Sequence, residues 1–202
     1  RSTEVMNTLL KSTPDIKVMF EIFQGNFLRR VLRPQLLEEP EGTNMLIFAP
    51  HQDDETIGAG GVILKSHQSG KSVHCVYVTD GCRNTSRRKE EALEVWDKIN
   101  GTEPVFMDLP CRKFEVNDDN VSATANILKE RKPDTIFLPF ILEPPQDHRK
   151  TCFLVYSAFK NNKDLKHKNV EVWQYQVSSI STPNVLIDIT DFAEEKKKIN
   201  QL

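Results

Sequence analysis

Met45-Leu-Ile-Phe-Ala-Pro-His-Gln-Asp-Asp-Glu-Thr56 is the stretch of sequence around which the rest of the chain is organised. The short apolar run from Met45 to Ala49 predicts a buried strand. Pro50 ends that strand, because proline has no N–H to give to a ladder. The glycine-rich segment Gly58-Ala-Gly-Gly61 then opens an apolar stretch that is typical of a helix. The polar residues between strand and helix are therefore expected at the carboxyl edge of a sheet, where open α/β sheets bind ligands.

Four ionisable side chains follow this strand within five positions: His51, Asp53, Asp54 and Glu55. Three carboxylates beside an imidazole would repel one another, and a divalent metal ion is the simplest source of compensating charge. A tight turn could aim His51 and Asp54 inward together while Asp53 points in another direction. The alternative interpretation of the same residues is an acidic loop that caps the following helix.

Strand-like and helix-like segments alternate along the rest of the chain. Further strands are predicted at 73–78, 105–107, 135–138, 170–177 and 185–189, and helices at 57–69, 85–99, 121–131, 151–160 and 191–202. A further helix begins at 13–15 and either ends at Gly25-Asn26 or continues to residue 33, before Pro34. This alternation predicts a Rossmann-like α/β fold, doubly wound, with a mostly parallel sheet and helices on both faces. Residues 1–43 are interpreted as an N-terminal helical extension and linker, and residues 44–202 as the α/β domain.

The common strand order 3-2-1-4-5 would place the strands at 45–49 and 135–138 side by side at the switch point of the sheet. The loop after the second of these strands carries His148. His148 would complete a set of two histidines and one aspartate with His51 and Asp54, which suits zinc with an open position for water, although other divalent metals also fit. Asp53 could accept a proton from such a water. Glu55 could cap the helix or orient His51.

Composition limits the classes of protein that need to be considered. The chain has 202 residues, of which 38% are hydrophobic and 28% charged, as expected for a soluble globular domain. The net charge of -2 argues against a nucleic-acid partner. No apolar run approaches the ~18 residues of a membrane span. The cysteines at positions 75, 82, 111 and 152 lack C-x-x-C spacing. They are interpreted as reduced thiols of a cytoplasmic protein. The sequence leaves the oligomeric state open.

Ala49-Pro-His-Gln-Asp-Asp-Glu55, followed by Gly60-Gly61, resembles the A-H-P-D-D-E signature of the LmbE-like family. That family includes the N-acetylglucosaminylphosphatidylinositol (PIG-L) de-N-acetylases and the bacillithiol and mycothiol pathway deacetylases. Thr79-Asp-Gly81, Arg88-Lys-Glu-Glu91 and Gln146-Asp-His148-Arg resemble later blocks of the family, and Pro183-Asn184 with Asp188-Ile-Thr190 resembles its carboxyl end. The resemblance therefore extends over about residues 44–198.

The resemblance implies a zinc-dependent hydrolase that removes an acetyl group from an N-acetylated, GlcNAc-type amino-sugar conjugate by cleaving a linear amide C–N bond. The family's zinc ligands fall on His51, Asp54 and His148, and its general base falls on Asp53. An arginine that holds the substrate in some members falls on Arg88, for which the alternative is an exposed helix residue. Asp147 would lie outside the ligand set, as a supporting or helix-capping group.

Two departures from the family pattern are visible. Gln52 replaces the proline after the first histidine, and Pro145 replaces the first histidine of the second motif, which helps to stabilise the oxyanion in some members. Loss of one oxyanion donor typically lowers the rate by roughly a hundred- to a thousand-fold. The alternative function is therefore a weak or inactive, metal-retaining sugar-binding protein. The chain also ends where family members usually continue, so part of the substrate cleft is expected to be missing.

Overall fold

The computed structural model describes residues 34–163, 169–179 and 182–201. The helix expected at 13–33 lies outside these residues. The helices and strands, in chain order, are β1 (Gln35–Leu37), β2 (Asn44–Ala49), α1 (Asp54–Gln68), β3 (Ser72–Thr79), α2 (Thr85–Lys98), β4 (Val105–Leu109), α3 (Asp118–Arg131), β5 (Thr135–Pro139), α4 (Gln146–Asn161), β6 (Glu171–Tyr175), β7 (Val185–Ile187), a 3-10 turn (Thr190–Phe192) and α5 (Ala193–Ile199).

Five of these strands form one parallel sheet in the order β4-β3-β2-β5-β6. Each neighbouring pair is parallel, and Met45 of β2 pairs with Val73 of β3 on one side and Thr135 of β5 on the other. This is the predicted order 3-2-1-4-5, so both the α/β fold class and the adjacency of the two site-bearing strands are confirmed.

Strand β2 is buried on both faces of the sheet, as its unbroken apolar run predicts. Alternate residues of the strand enter two separate apolar clusters. One cluster holds Ile47 with Ile63 of α1 and Trp96 of α2. The other holds Phe48 with Leu154 of α4. Each fully buried side chain of this size stabilises the fold by about 1.5–3 kcal/mol, so packing from both sides fixes the point at which the next loop begins.

The chain divides into two compact units. The described part of the smaller unit comprises residues 34–38, 179 and 182–188, and contains β1 and β7 as a two-stranded parallel sheet. The strand expected at 185–189 is therefore present, but it pairs with β1 rather than with the five-stranded sheet. The described part of the larger unit, residues 39–163, 169–178 and 189–201, contains the five-stranded sheet and all five α-helices. The domain boundary expected at residue 44 stays a prediction.

The expectation that all four cysteines are reduced is wrong for two of them. Cys82 and Cys111 form a disulfide, with their Cα atoms 5.0 Å apart, whereas Cys75 and Cys152 are free and buried. The two bonded cysteines follow β3 and β4, which are neighbours in the sheet. The parallel order of the strands brings both loops to one edge of the sheet. Because the two cysteines are 29 residues apart in the sequence, no local pattern predicts their pairing.

A buried polar network connects α1, β3 and α2. Tyr77 donates its hydroxyl proton to Glu55 Oε1, and Trp96 Nε1 donates to the Tyr77 hydroxyl at 3.0 Å. Glu55 Oε2 is buried without a partner among the described residues. Burial raises the pKa of Glu55 to about 8, against the opposing effect of the Tyr77 hydrogen bond. The expectation that Glu55 orients His51 is therefore wrong, because its side chain faces Tyr77 instead.

Gly61→Ala should destabilise the protein, whereas Gly60→Ala should not. A methyl group at Gly61 would lie 2.8 Å from Ile189 Cβ, while one at Gly60 would come no closer than 3.4 Å to the flexible Lys196. We expect Gly61→Ala to lower the free energy of unfolding by about 1–3 kcal/mol through overpacking. Gly60→Ala should raise it by up to about 1 kcal/mol through helix propensity. Urea unfolding followed by circular dichroism measures both, and equal effects would contradict this packing.

The pKa of Glu55 predicts a pH dependence of stability. Between its ordinary value of 4.5 and about 8, the folded protein keeps a proton on Glu55 that the unfolded chain releases. The free energy of unfolding should therefore fall as pH rises through this range, with a slope of at most about 1.4 kcal/mol per pH unit. Glu55→Gln is uncharged and should remove this contribution. The difference in the free energy of unfolding between the unchanged protein and Glu55→Gln, measured after chelation of metal, isolates the effect of Glu55. Parallel curves of this free energy against pH from 4 to 9 would contradict the prediction.

Candidate metal centre

The carboxyl ends of β2 and β5 bring together the three residues predicted to hold a metal. His51 lies in the turn after β2, and Asp54 is the first residue of α1. His148 was expected in the loop after β5, but it lies in the first turn of α4. That helix begins at Gln146 rather than at Thr151, with Pro145 as its N-cap residue.

Asp54 lies between the two imidazoles. Its Oδ2 atom is 3.0 Å from His51 Nδ1 and 3.3 Å from His148 Nε2. The same oxygen accepts a hydrogen bond from the backbone N–H of His51 at 2.9 Å. The side chains of Asp54 and His148 are almost completely buried, while 18% of the His51 side chain is exposed. Within this set, access from solvent is therefore mainly through His51.

The electrostatics of the cluster favour an ionised carboxylate. Burial opposes ionisation of Asp54, but hydrogen bonds and charge interactions with His148 and His51 outweigh it and lower the pKa of Asp54 to about 2. Burial also opposes the charged form of His51, yet contacts with Asp54 and Asp147 raise the pKa of its imidazole. The raised pKa of His51 favours a positively charged imidazole beside the ionised Asp54.

The donor set is suited to a divalent metal. The ligand atoms of His51, Asp54 and His148 all lie within 4.8 Å of one another. Two imidazoles and one carboxylate are a common zinc ligand set that leaves a coordination position open. His51 Nε2 lies 3.1 Å from Asp147 Oδ2, the kind of carboxylate contact that fixes the tautomer of a metal-bound histidine. His148 Nδ1, in contrast, is buried without a partner among the described residues.

Asp53 lies next to this cluster without joining it. It is the N-cap residue of α1, but its side chain makes no capping hydrogen bond. Its carboxylate is 45% exposed and lies 3.5 Å from Nη1 of Arg88, which projects from α2. Burial and the neighbouring charge of Asp54 raise the pKa of Asp53, while Arg88 opposes this. The structure thus pairs the two residues expected to act as base and as substrate-binding group.

Asp147 has supporting contacts that the sequence revealed only in part. Besides contacting His51, its carboxylate accepts a hydrogen bond from the backbone N–H of Arg112 at 2.9 Å. The disulfide-bonded sulfur of Cys111 lies 3.3 Å from Asp147 Oδ2. The contacts from the loop after β4 could not be foreseen, because that loop resembles no motif. Asp147 therefore links the His51 turn to a third loop.

Glu143 is a further buried acid that sequence reasoning missed. It accepts hydrogen bonds from the backbone N–H of Val177 at 2.8 Å and from the hydroxyl of Ser178 at 2.6 Å. Val177 and Ser178 line the same cleft as His51, Asp54 and His148. A glutamate before two prolines gave no signal of this role, since its partners lie 34 and 35 residues away.

Both departures from the family pattern can be located. Gln52 turns away from the cluster, is buried, and donates from Nε2 to the backbone carbonyl of Thr79 at 2.8 Å. The Gln52 amide nitrogen is therefore engaged with the end of β3. Pro145 lies on the wall of the cleft and offers no side-chain donor to a substrate.

One cleft contains the predicted site residues and Asp147. It has a volume of about 1160 Å³ and is lined by His51, Asp53, Asp54, Arg88, Asp147 and His148, among others. This exceeds the usual ~300–1,000 Å³ of small-molecule sites, so the cleft can accommodate a ligand of more than one ring. Among the described residues, no helix is both long enough and apolar enough to cross a membrane.

Similar proteins are known. Diacetylchitobiose deacetylase of Thermococcus kodakarensis is 28% identical over 184 residues, which cover 75% of this chain and 66% of that protein. The chain spans less than two thirds of the curated relatives that it matches first. Among solved structures, N,N'-diacetylchitobiose deacetylase from Pyrococcus horikoshii is 26% identical to this chain and has a TM-score of 0.69. The alignment covers 90% of this chain and 78% of the Pyrococcus chain.

The same fold also occurs in the 4-carboxy-2-hydroxymuconate hydratase of Pseudomonas putida, at 18% identity and a TM-score of 0.66, with 78% and 77% of the two chains covered. A shared fold does not by itself identify a reaction. The model of the GlcNAc-PI de-N-acetylase family matches residues 46–159, which is more than half of the chain and includes all five predicted site residues. The chain therefore belongs to the GlcNAc-PI de-N-acetylase (PIG-L, LmbE-like) family.

Proposed function

We propose that this protein is a zinc-dependent N-deacetylase that removes the acetyl group from an N-acetylated amino-sugar conjugate. The observation that carries the proposal is the placement of Asp53, a partly exposed carboxylate, beside the buried set of His51, Asp54 and His148 in one cleft. Membership of the family and the similarity to two diacetylchitobiose deacetylases support the reaction class.

His51, Asp54 and His148 would hold the metal ion. When bound there, zinc would supply a Lewis acid that polarises the acetamide carbonyl and makes a nearby water more acidic. Asp147 keeps the His51 ring oriented through Nε2. Burial of Asp54 and His148 excludes bulk water from the inner side of the set, which strengthens the charge interactions there.

Asp53 would act as the general base and then as the general acid. It accepts a proton from the water that attacks the acetamide carbonyl, and it returns this proton to the amine as the C–N bond breaks. Its raised pKa suits both steps, because a catalytic group works best when its pKa approaches the operating pH. Arg88 restrains Asp53 from the α2 side and lines the cleft, where its guanidinium can donate hydrogen bonds to substrate oxygens.

Pro145 supports a second candidate, a metal-retaining sugar-binding protein with little or no turnover. The family pattern has a histidine donor at this position, and Pro145 supplies none on that wall of the cleft. Incubation of the zinc-loaded protein with N-acetylglucosamine conjugates, followed by an assay for free amine, separates the two candidates. Sustained amine release eliminates the second candidate, and sugar binding without release eliminates the first.

Asp53→Asn and Asp54→Ala should have different effects. Loss of the base should lower kcat by about a hundred- to ten-thousand-fold while zinc content remains near that of the unchanged protein. Loss of Asp54 should remove both zinc and activity, because the aspartate is a predicted ligand. Zinc is measured by elemental analysis after dialysis, and activity by amine release.

Asp97→Asn is the matched control, since Asp97 is an exposed aspartate on α2 that does not line the cleft. It should preserve both zinc and activity. Full turnover by Asp53→Asn would show that the proton acceptor has been assigned to the wrong residue.

Arg88→Met should lower kcat/KM by about tenfold or more, equivalent to about 1.4 kcal/mol of transition-state stabilisation. The physical reason is the loss of a cleft-facing guanidinium that also restrains Asp53. Arg87→Met is the control, because Arg87 is 76% exposed, pairs with Glu91 and does not line the cleft. Steady-state kinetics that show equal values for both variants would make Arg88 an ordinary exposed helix residue.

A further inference from the structure

A second group of potential metal ligands lies on the far side of the His51 ring. It consists of His51 Nε2, a carboxylate oxygen of Asp147 and the sulfur atoms of Cys82 and Cys111, all within 4.8 Å of one another. His51 thus belongs to two clusters, since its Nδ1 faces Asp54 and its Nε2 faces Asp147. Neither sulfur atom has a part in the proposed deacetylation.

The spacing of these atoms fits a tetrahedral ion. His51 Nε2 is 3.1 Å from Asp147 Oδ2, and Cys111 Sγ is 3.3 Å from the same oxygen. Zinc bonds of about 2.0–2.3 Å to nitrogen, oxygen and sulfur place tetrahedral ligand atoms about 3.3–3.8 Å apart. A small outward movement of each group would therefore accommodate an ion, and two thiolates with an imidazole are ligands that zinc prefers.

The backbone holds the two cysteines in position. Asp80 Oδ1 accepts hydrogen bonds from the N–H of Cys82 at 3.2 Å and from the N–H of Cys111 at 3.1 Å. Asp147 is fixed independently by the N–H of Arg112 at 2.9 Å. Breaking the bond between the sulfurs would therefore leave both loops anchored, with the two thiols facing Asp147.

We propose that Cys82, Cys111, Asp147 and Nε2 of His51 form a second metal site for a thiophilic divalent ion such as zinc, and that this site exists only while the Cys82–Cys111 disulfide is reduced. A dithiol supplies the two electrons and two protons that convert the disulfide into two thiols, and it becomes a disulfide itself. Metal binding then releases the two thiol protons and the Nε2 proton to solvent. Cys82 is exposed in the cleft, so a reductant can reach it.

This site is separate in composition from the proposed catalytic centre, and it does not depend on the proposed hydrolysis. Only His51 is shared between the two sets. The sulfur ligands give the second site a spectroscopic signature that the first cannot produce, because the first contains no thiolate.

The test compares the protein in its disulfide form with protein reduced by a phosphine. The phosphine takes oxygen from water as it delivers the two electrons. Both forms are equilibrated with cobalt and with zinc, and metal per chain is measured after dialysis. The reduced form should bind one ion more than the disulfide form. Its cobalt form should show thiolate-to-metal charge-transfer absorption that the disulfide form lacks. Equal metal content in both forms, without this absorption, would overturn the proposal.

Three variants make the result specific. Cys82→Ser should lose the additional ion and the absorption while retaining the first ion, and Cys152→Ala, which removes a buried thiol outside both clusters, should retain both ions. The double variant Asp54→Ala/His148→Ala should lose the first ion yet keep the charge-transfer absorption when reduced. If the double variant keeps this absorption, the second site is supported even where the deacetylase proposal fails. If the absorption persists in Cys82→Ser, the second site is wrong, whatever the deacetylase activity.

Discussion

The contact on which the rest of the structure depends is that of one carboxylate oxygen of Asp54 with two imidazoles from distant parts of the chain, at 3.0 and 3.3 Å. It exists because β2 and β5 are adjacent and parallel, so that their carboxyl ends open into the same cleft. The burial of β2 on both faces keeps that adjacency fixed. Apolar packing far from the cleft thus determines the geometry of the most polar part of the molecule.

The sequence predicted the meeting of these two loops because a buried strand and the polar loop that follows it can both be identified from neighbouring residues. An apolar run followed by proline and a cluster of acids identifies a strand and the loop after it, and strand order follows from the common doubly wound topology. Helix beginnings were less predictable. The start of α3 at Asp118, ahead of the expected residue 121, depends on the Asn117 side chain, which accepts a hydrogen bond from the N–H of Asn120.

The contacts that sequence reasoning missed are those made between loops. The disulfide of Cys82 with Cys111, and the hydrogen bonds of Glu143 with residues 177 and 178, join parts of the chain that are 29 to 35 residues apart. No periodicity or spacing encodes such contacts, because they arise only after the sheet has aligned its loops. The role of Glu55 was missed for a related reason: its hydrogen-bond partner Tyr77 comes from β3, and Trp96, which donates to Tyr77, comes from α2.

The contacts of both His51 ring nitrogens affect how the site would bind an ion. With one ring nitrogen facing Asp54 and the other facing Asp147, turning the ring by half a revolution would break two favourable contacts at once. The imidazole is therefore already aimed before any ion arrives, and little rotational freedom remains to be lost on coordination. Affinity at such a site would depend on removing water from the ion and protons from the ligands, rather than on rearranging the protein.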